Sequence, residues 1–284
     1  MKNIIIPNPE ELKKKIDTIK KDGRKKLHIL SDFDRTLTYG VKNGKLAPSL
    51  ISLLRNGKYL TQDYAPKAHD LFNIYHPIEI SHTISKEEKN LKMMEWWRKH
   101  FDLLIESGLD KKTIKKATKD MIQDKIVLLR DGAKNFFKEL SEKNIPLIIL
   151  SSSISDLIIE ILKQENCLYN NIHIIGNNLE WDEKGKFVRI EKIIHVFNKH
   201  ESELRNLTIY KELEKRKNVI LLGDSMGDLG MVEGFPYKNL IKIAFLNEKE
   251  EIEKHLPVFQ EHFDVILLED PDFSYVNSLL KDLI

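Results

Sequence analysis

The stretch Leu27-His-Ile-Leu-Ser-Asp-Phe-Asp-Arg-Thr-Leu-Thr38 decides how this chain is read. Its first five residues make a short apolar run of strand length that stops at Asp32, the pattern of a buried strand leaving a core. Runs of the same kind recur at 145–150, 172–175, 219–222, 241–245 and 265–268. Helical patterns separate them. Ala133, Phe136, Phe137 and Leu140 share one helix face, and Leu157, Ile158, Ile161 and Leu162 share another. Residues 273–283 predict a closing helix. Alternation of strand and helix predicts an α/β fold with a Rossmann-like, mostly parallel sheet covered on both sides.

The interval 39–123 breaks this rhythm. It holds no comparable apolar run, and its candidates are helices at 66–74, 86–107 and 111–123. An insertion of this size after the first strand predicts a helical cap domain over 39–125, with the α/β core built from 1–38 and 126–284. Residues 177–187 read as a hairpin with its turn at 183–185. A basic helix over 10–21 reads as a solvated face.

Composition narrows the function classes. The 284 residues carry 46 basic and 44 acidic side chains, a net charge of +2, so nothing demands a nucleic-acid or anionic-membrane partner. Apolar runs of five or six residues fall far short of the roughly 20 that span a bilayer. One cysteine, Cys167, forms no internal disulfide and no cysteine-based zinc site. The expectation is a cytoplasmic, monomeric protein without nucleic-acid or membrane partners.

Open α/β sheets place their ligands at the carboxyl ends of the strands. Asp32 and Asp34 follow the first strand, Ser151-Ser-Ser153 the second, and Gly223-Asp-Ser-Met-Gly-Asp228 the run at 219–222, with Lys199 upstream among apolar residues. Each alone has an ordinary reading: an Asx turn, a helix N-cap, glycines that permit a tight turn, a solvated lysine. Together, acidic pair, hydroxyl loop, lysine and second acidic pair resemble the four motifs of the haloacid dehalogenase superfamily of phosphotransferases. Further blocks resemble the pyrimidine 5′-nucleotidase (cytosolic 5′-nucleotidase III) family, which includes 7-methylguanosine phosphate-specific members. These are His76-Pro-Ile-Glu-Ile80, Met94-Glu-Trp-Trp97, Asp131-Gly-Ala-Lys-Asn-Phe-Phe137, Ile145–Ser151, Ile194–His200 and Val219–Leu229.

The resemblance implies a Mg²⁺-dependent 5′-nucleotidase acting on CMP, UMP or 7-methyl-GMP through an aspartyl-phosphate, with phosphotransfer as a side activity. Asp32 is the implied nucleophile and Asp34 the general acid and base. Mg²⁺ is held by the Asp32 side chain, the Asp34 main-chain carbonyl and Asp224. Ser151, Ser152 and Lys199 hold phosphoryl oxygens, and Asp228 supports Lys199. In the inserted segment Glu79 binds the base and Trp97 stacks on it, while Trp96 is read as the core tryptophan of the pair. Two positions depart from the family pattern. Ser151-Ser152-Ser153 stands where Ser-Ala-Gly is usual, and His100 replaces a base-contacting serine. The alternatives are a phosphatase for phosphoserine or a sugar phosphate, and a catalytically silent scaffold. Glu79 and Trp97 argue against the first, intact Asp32, Asp34, Lys199 and Asp224 against the second.

Overall fold

A strand with no polar alternation must be covered on both faces, and the 27–31 run is: all five of its residues are buried. It belongs to a computed structural model that describes residues 3–81, 83–200 and 209–284. The strands in chain order are β1 (Ile4–Ile5), β2 (Leu27–Ser31), β3 (Val41–Lys42), β4 (Lys45–Leu46), β5 (Leu147–Ile154), β6 (Ile172–Asn177), β7 (Leu179–Trp181), β8 (Phe187–Ile190), β9 (Asn218–Gly223), β10 (Asn239–Leu246) and β11 (Val265–Leu268). The α-helices are α1 (Pro9–Asp22), α2 (Leu50–Asn56), α3 (Tyr64–Ile80), α4 (Lys86–Glu106), α5 (Lys111–Gln123), α6 (Ala133–Glu142), α7 (Ser155–Gln164), α8 (Tyr210–Leu213), α9 (Ile252–His262) and α10 (Ser274–Leu283).

Seven strands form one sheet in the order β1-β11-β10-β9-β2-β5-β6. All neighbours pair in parallel except β1, which runs antiparallel to β11 at the edge. Side chains of β2 split between the two faces. Leu27 and Ile29 join the larger apolar cluster with α6, α7 and α10, and Leu30 joins a second with Leu213 and Phe235. Local signals set the helix starts. Asn8 accepts the N–H of Glu11 ahead of Pro9, Ser85 that of Glu88, and Asp110 that of Thr113.

Several elements differ from the sequence expectation. The two-residue strands β1, β3 and β4 are too short to show a period. Helix α3 runs past 74 to Ile80, because Pro77 lies in its last turns rather than ending it. Strand β5 continues through the three serines to Ile154.

The insertion between β2 and β5 begins and ends side by side. Tyr39 N–H donates to Leu128 O (2.9 Å) and Arg130 N–H to Leu37 O (3.0 Å). The fully buried Arg130 side chain locks this junction. Its Nε donates to Thr36 O (2.8 Å), Nη1 to Pro271 O (2.6 Å), and Nη2 to Arg35 O (2.6 Å) and Asn247 Oδ1 (2.8 Å). It pairs with Asp270 at 2.8 Å and lies 4.4 Å from the centre of the Phe245 ring. The β7–β8 hairpin, expected at 177–187, forms and reaches the inserted helices. Phe187 N–H donates to Leu109 O (2.9 Å) and Lys111 N–H to Gly185 O (3.0 Å).

Removing one member of a buried charge pair leaves the other uncompensated, at a cost of about 3–5 kcal/mol. Arg130→Met should lower the unfolding free energy in urea by about that amount. A loss below about 1 kcal/mol would mean that the junction is held by the surrounding apolar contacts instead.

Candidate active site

Three strand ends meet at one level. Ser31 pairs with Leu222 of β9 and with Ile149 of β5, so Asp32, Gly223 and the serine run emerge together. Asp32 is the first residue beyond β2, and its N–H donates to Leu222 O (3.0 Å). The loop then turns sharply. Arg35 adopts a left-handed φ of 63°, and its carbonyl is held by Arg130 and by Asn247 Nδ2 (3.0 Å). Asp34 projects toward the inserted segment, where both carboxylate oxygens accept the N–H of Leu50 at the start of α2 (3.3 and 3.4 Å).

Lys199 lies between two buried carboxylates. Its Nζ donates to Asp32 Oδ1 and to Asp228 Oδ1, the latter at 3.0 Å. The other oxygen of Asp228 accepts from Asp224 N–H (3.1 Å), Ser225 N–H (3.0 Å) and Ser225 Oγ (3.0 Å). Asp228 is thereby satisfied on both oxygens. Asp32, Asp224 and Asp228 bring carboxylate oxygens within 4.8 Å of one another. Burial raises the pKa of Asp32 to about 6 against the pull of Lys199. Burial and then the charge of Asp32 raise Asp34 to about 7. Asp224 is also raised, by burial and by Asp228 and Asp32. Burial works against the Lys199 ammonium, yet Asp228 and Asp32 together hold its pKa above the usual lysine range.

The glycine preceding Asp224 has a different reason from the tight turn expected. Neither Gly223 nor Gly227 has a positive φ. A Cβ on Gly223 would lie 2.5 Å from Asp228 Cβ, so glycine lets Asp228 fold back over the strand end.

The serine run is strand rather than helix cap. Helix α7 starts after Ile154 with no side-chain cap. Ser151 Oγ accepts the N–H of Ser153 (3.1 Å), which leaves its own proton free to donate. Asn177, fully buried, ties this run to the segment that carries Lys199. Its Nδ2 donates to Ser152 O (2.7 Å) and Ile194 O (2.9 Å), and its Oδ1 accepts Ile194 N–H (2.9 Å). Asn198 extends the tie, accepting His195 N–H (2.7 Å) and donating to Ile193 O (3.0 Å). Lys199 thus stands on an irregular segment held by two asparagines, not at a strand end, and Asn177 escaped the sequence reading. It lies beyond the apolar run at 172–175, and nothing in the neighbouring sequence marks it.

Glu79, Trp97 and His100 lie on α3 and α4, and none is bonded to the aspartates. Glu79 Oε2 contacts His76 Nδ1 at 3.0 Å. Trp97 is half-buried, stacks on Phe101 (5.5 Å between ring centres) and packs part of its ring against the main core. Trp96 is also half-buried and stacks on Tyr75 at 5.9 Å. Each helix turn offers one side to α3 and another to the core, so both tryptophans pack. His100 is buried, and its Nε2 meets Tyr64 Oη at 2.9 Å.

The parallel sheet, the aspartate-led strand ends and the buried lysine define a hydrolase of the haloacid dehalogenase fold. A phosphoserine phosphohydrolase-like protein from Francisella tularensis shares that fold, with a TM-score of 0.51 and 19% identity over 89% of this chain and 99% of its own. The family profile described as Pyrimidine 5'-nucleotidase (UMPH-1) matches residues 35–284, and the chain belongs to this family. It is 36% identical over 276 residues to the 7-methylguanosine phosphate-specific 5'-nucleotidase A of Xenopus laevis, covering 96% of this chain and 93% of that protein. The human 7-methylguanosine phosphate-specific 5'-nucleotidase is 34% identical over 283 residues, 99% and 92% of the two chains. Cytosolic 5'-nucleotidase IIIB bound to cytidine superimposes with a TM-score of 0.89 at 26% identity, covering 100% of this chain and 94% of its own.

Burial, and then the charge of Arg55, push the pKa of His100 down to about 3. Burial also lowers His195, to about 4. Below roughly pH 6.5 the unfolded chain protonates these histidines while the folded chain keeps them neutral. Stability is therefore complete above that pH and is lost as the pH falls toward the folded values. His100→Gln should flatten the stability–pH curve between about pH 6.5 and 4 by close to one proton, about 1.4 kcal/mol per pH unit. An unchanged slope would place the titration on other groups.

Proposed function

We propose that the chain hydrolyses pyrimidine and 7-methylguanosine 5′-monophosphates to nucleoside and phosphate through a phosphorylated Asp32. The observation that carries this reading is Lys199 bridging Asp32 and Asp228 beside Asp34 and Asp224. Family membership supports the substrate class, as do the names of the relatives.

In the first step an Asp32 carboxylate oxygen forms a bond to phosphorus as the bond from phosphorus to the ribose O5′ breaks. Asp34 delivers its proton to O5′, so the nucleoside leaves as an alcohol. A carboxyl with a pKa near 7 carries that proton over an appreciable fraction of molecules at neutral pH. In the second step the Asp34 carboxylate takes a proton from water, the water oxygen bonds to phosphorus, and the bond from phosphorus to Asp32 breaks. Asp32 returns as a carboxylate and inorganic phosphate departs. Lys199 and the Ser151 hydroxyl are placed to neutralise charge on the phosphoryl oxygens.

An all-oxygen donor set suits Mg²⁺. Asp32 and Asp224, with the Asp34 main-chain carbonyl, would hold it. Asp228, already satisfied by Lys199 and by the Asp224 and Ser225 donors, supports from behind. The raised pKa of Asp224, caused by burial and by neighbouring carboxylates, is the mark of a site that gains from a cation. When bound, Mg²⁺ supplies positive charge that favours attack on an anionic phosphate. Residues 39–125 act as the cap in this reading, with Glu79 and Trp97 facing the base and a cytoplasmic nucleotide as substrate.

Phosphate release from CMP, UMP, 7-methyl-GMP, AMP, GMP and phosphoserine, with and without Mg²⁺, tests the assignment. The first three should dominate and require the metal. Asp32→Asn should abolish turnover, and Asp34→Asn should slow it about 10²–10⁴-fold. A preference for phosphoserine, or near-normal activity of a folded Asp32→Asn variant, would overturn it.

A further inference from the structure

Among the described residues Arg55 is a buried cation without a counter-ion. It lies in α2, whose first N–H holds the Asp34 carboxylate. Its side chain is 6% exposed, yet it forms no ion pair among the described residues, and its Nε is buried with no acceptor. Nη2 donates only to Ser52 Oγ (3.1 Å), and the guanidinium lies over the Phe72 ring, 4.4 Å from its centre. Arg130 shows what the same fold does for a guanidinium that serves architecture: four hydrogen bonds and a carboxylate. Charge buried without such partners is costly and calls for an explanation other than packing.

The surroundings supply one. One line of contact runs from Arg55 to a side chain assigned to the base. Phe72 stacks on His76 (4.5 Å, 17° between ring planes), and His76 holds Glu79. The Arg55 charge also helps lower the pKa of His100, whose ring centre lies 6.1 Å from that of Trp97. Arg55 is therefore linked through α2 to the Asp34 carboxylate and through Phe72 and His76 to Glu79.

We propose that Arg55 is a specificity-determining residue whose uncompensated charge offsets Glu79 and biases the base pocket toward neutral pyrimidines and against cationic 7-methylguanine. As a general scale, two unit charges about 10 Å apart at an effective dielectric near 20 change relative affinity by about tenfold. Without Arg55 the pocket would carry the net negative charge of Glu79 and an indole face, a combination that favours a cation. The proposal rests on the nucleotidase reading above.

The test is the ratio of kcat/KM for 7-methyl-GMP to that for CMP, each normalised to p-nitrophenyl phosphate turnover of the same preparation. Arg55→Met should raise the ratio about tenfold. Arg55→Lys, which keeps the charge, should leave it within about threefold of the parent. Arg55→Gln, which keeps a donor for Ser52 without the charge, should repeat the Met result and replaces it if Arg55→Met does not fold. Equal losses on both nucleotides, or an unchanged or lower ratio in the neutral variants, would overturn the assignment of Arg55 alone. A parent enzyme that turns over p-nitrophenyl phosphate but neither nucleotide would overturn the nucleotidase reading and this proposal with it.

Discussion

One ammonium group holds together the acidic end of this sheet. Asp32, Asp224 and Asp228 crowd the ends of two adjacent parallel strands, where burial alone drives carboxyl groups toward the neutral form. Lys199 answers that pressure by bridging Asp32 and Asp228. No regular element delivers it. The chain at 191–200 is irregular, and its position is fixed by Asn177 below and Asn198 alongside. The serine run shares the Asn177 amide, so both groups assigned to the phosphate are held by one buried side chain.

Much of this was legible in the sequence, for a physical reason. Apolar runs that end abruptly at aspartate, as at Asp32 and Asp224, record a buried strand giving way to a polar edge. The alternation of such runs with amphipathic helices leaves few topologies open. Other parts carry no local signal. Strand β1 has two residues and exists because β11 offers it an edge. The requirement for glycine at 223 comes from Asp228, which folds back onto it rather than from the backbone angle. Asn177 and Arg130 act across long loops, so composition and spacing near them say nothing. Trp96 and Trp97 were separable by helix geometry in principle. Two packing surfaces meet α4, however, and each takes one ring.

The inserted helices are joined to the core at more than their ends. Besides the paired entry and exit strands, the β7–β8 hairpin bonds to the α4–α5 corner and, through Trp181 Nε1, to Asp156 in the first turn of α7 (3.0 Å). Met94 of α4 also meets Asn198, one residue from Lys199. The side that carries Glu79 and Trp97 and the side that carries the aspartates are therefore braced through the same segment that presents the lysine.

Arg130 has a further consequence for how the molecule comes into being. Its acceptors are Arg35 and Thr36 on one side and Asn247, Asp270 and Pro271 on the other. Synthesis runs from the first group to the second, so the loop after Asp32 meets Arg130 first and gains its second brace, Asn247, only late. That second contact joins positions more than 200 apart, a separation of the kind that slows folding. A nascent chain can pair β2 with β5 and bury much of its core well before that point. The loop after Asp32 then gains its second brace late, which separates the acquisition of the fold from the fixing of its carboxyl-end loop.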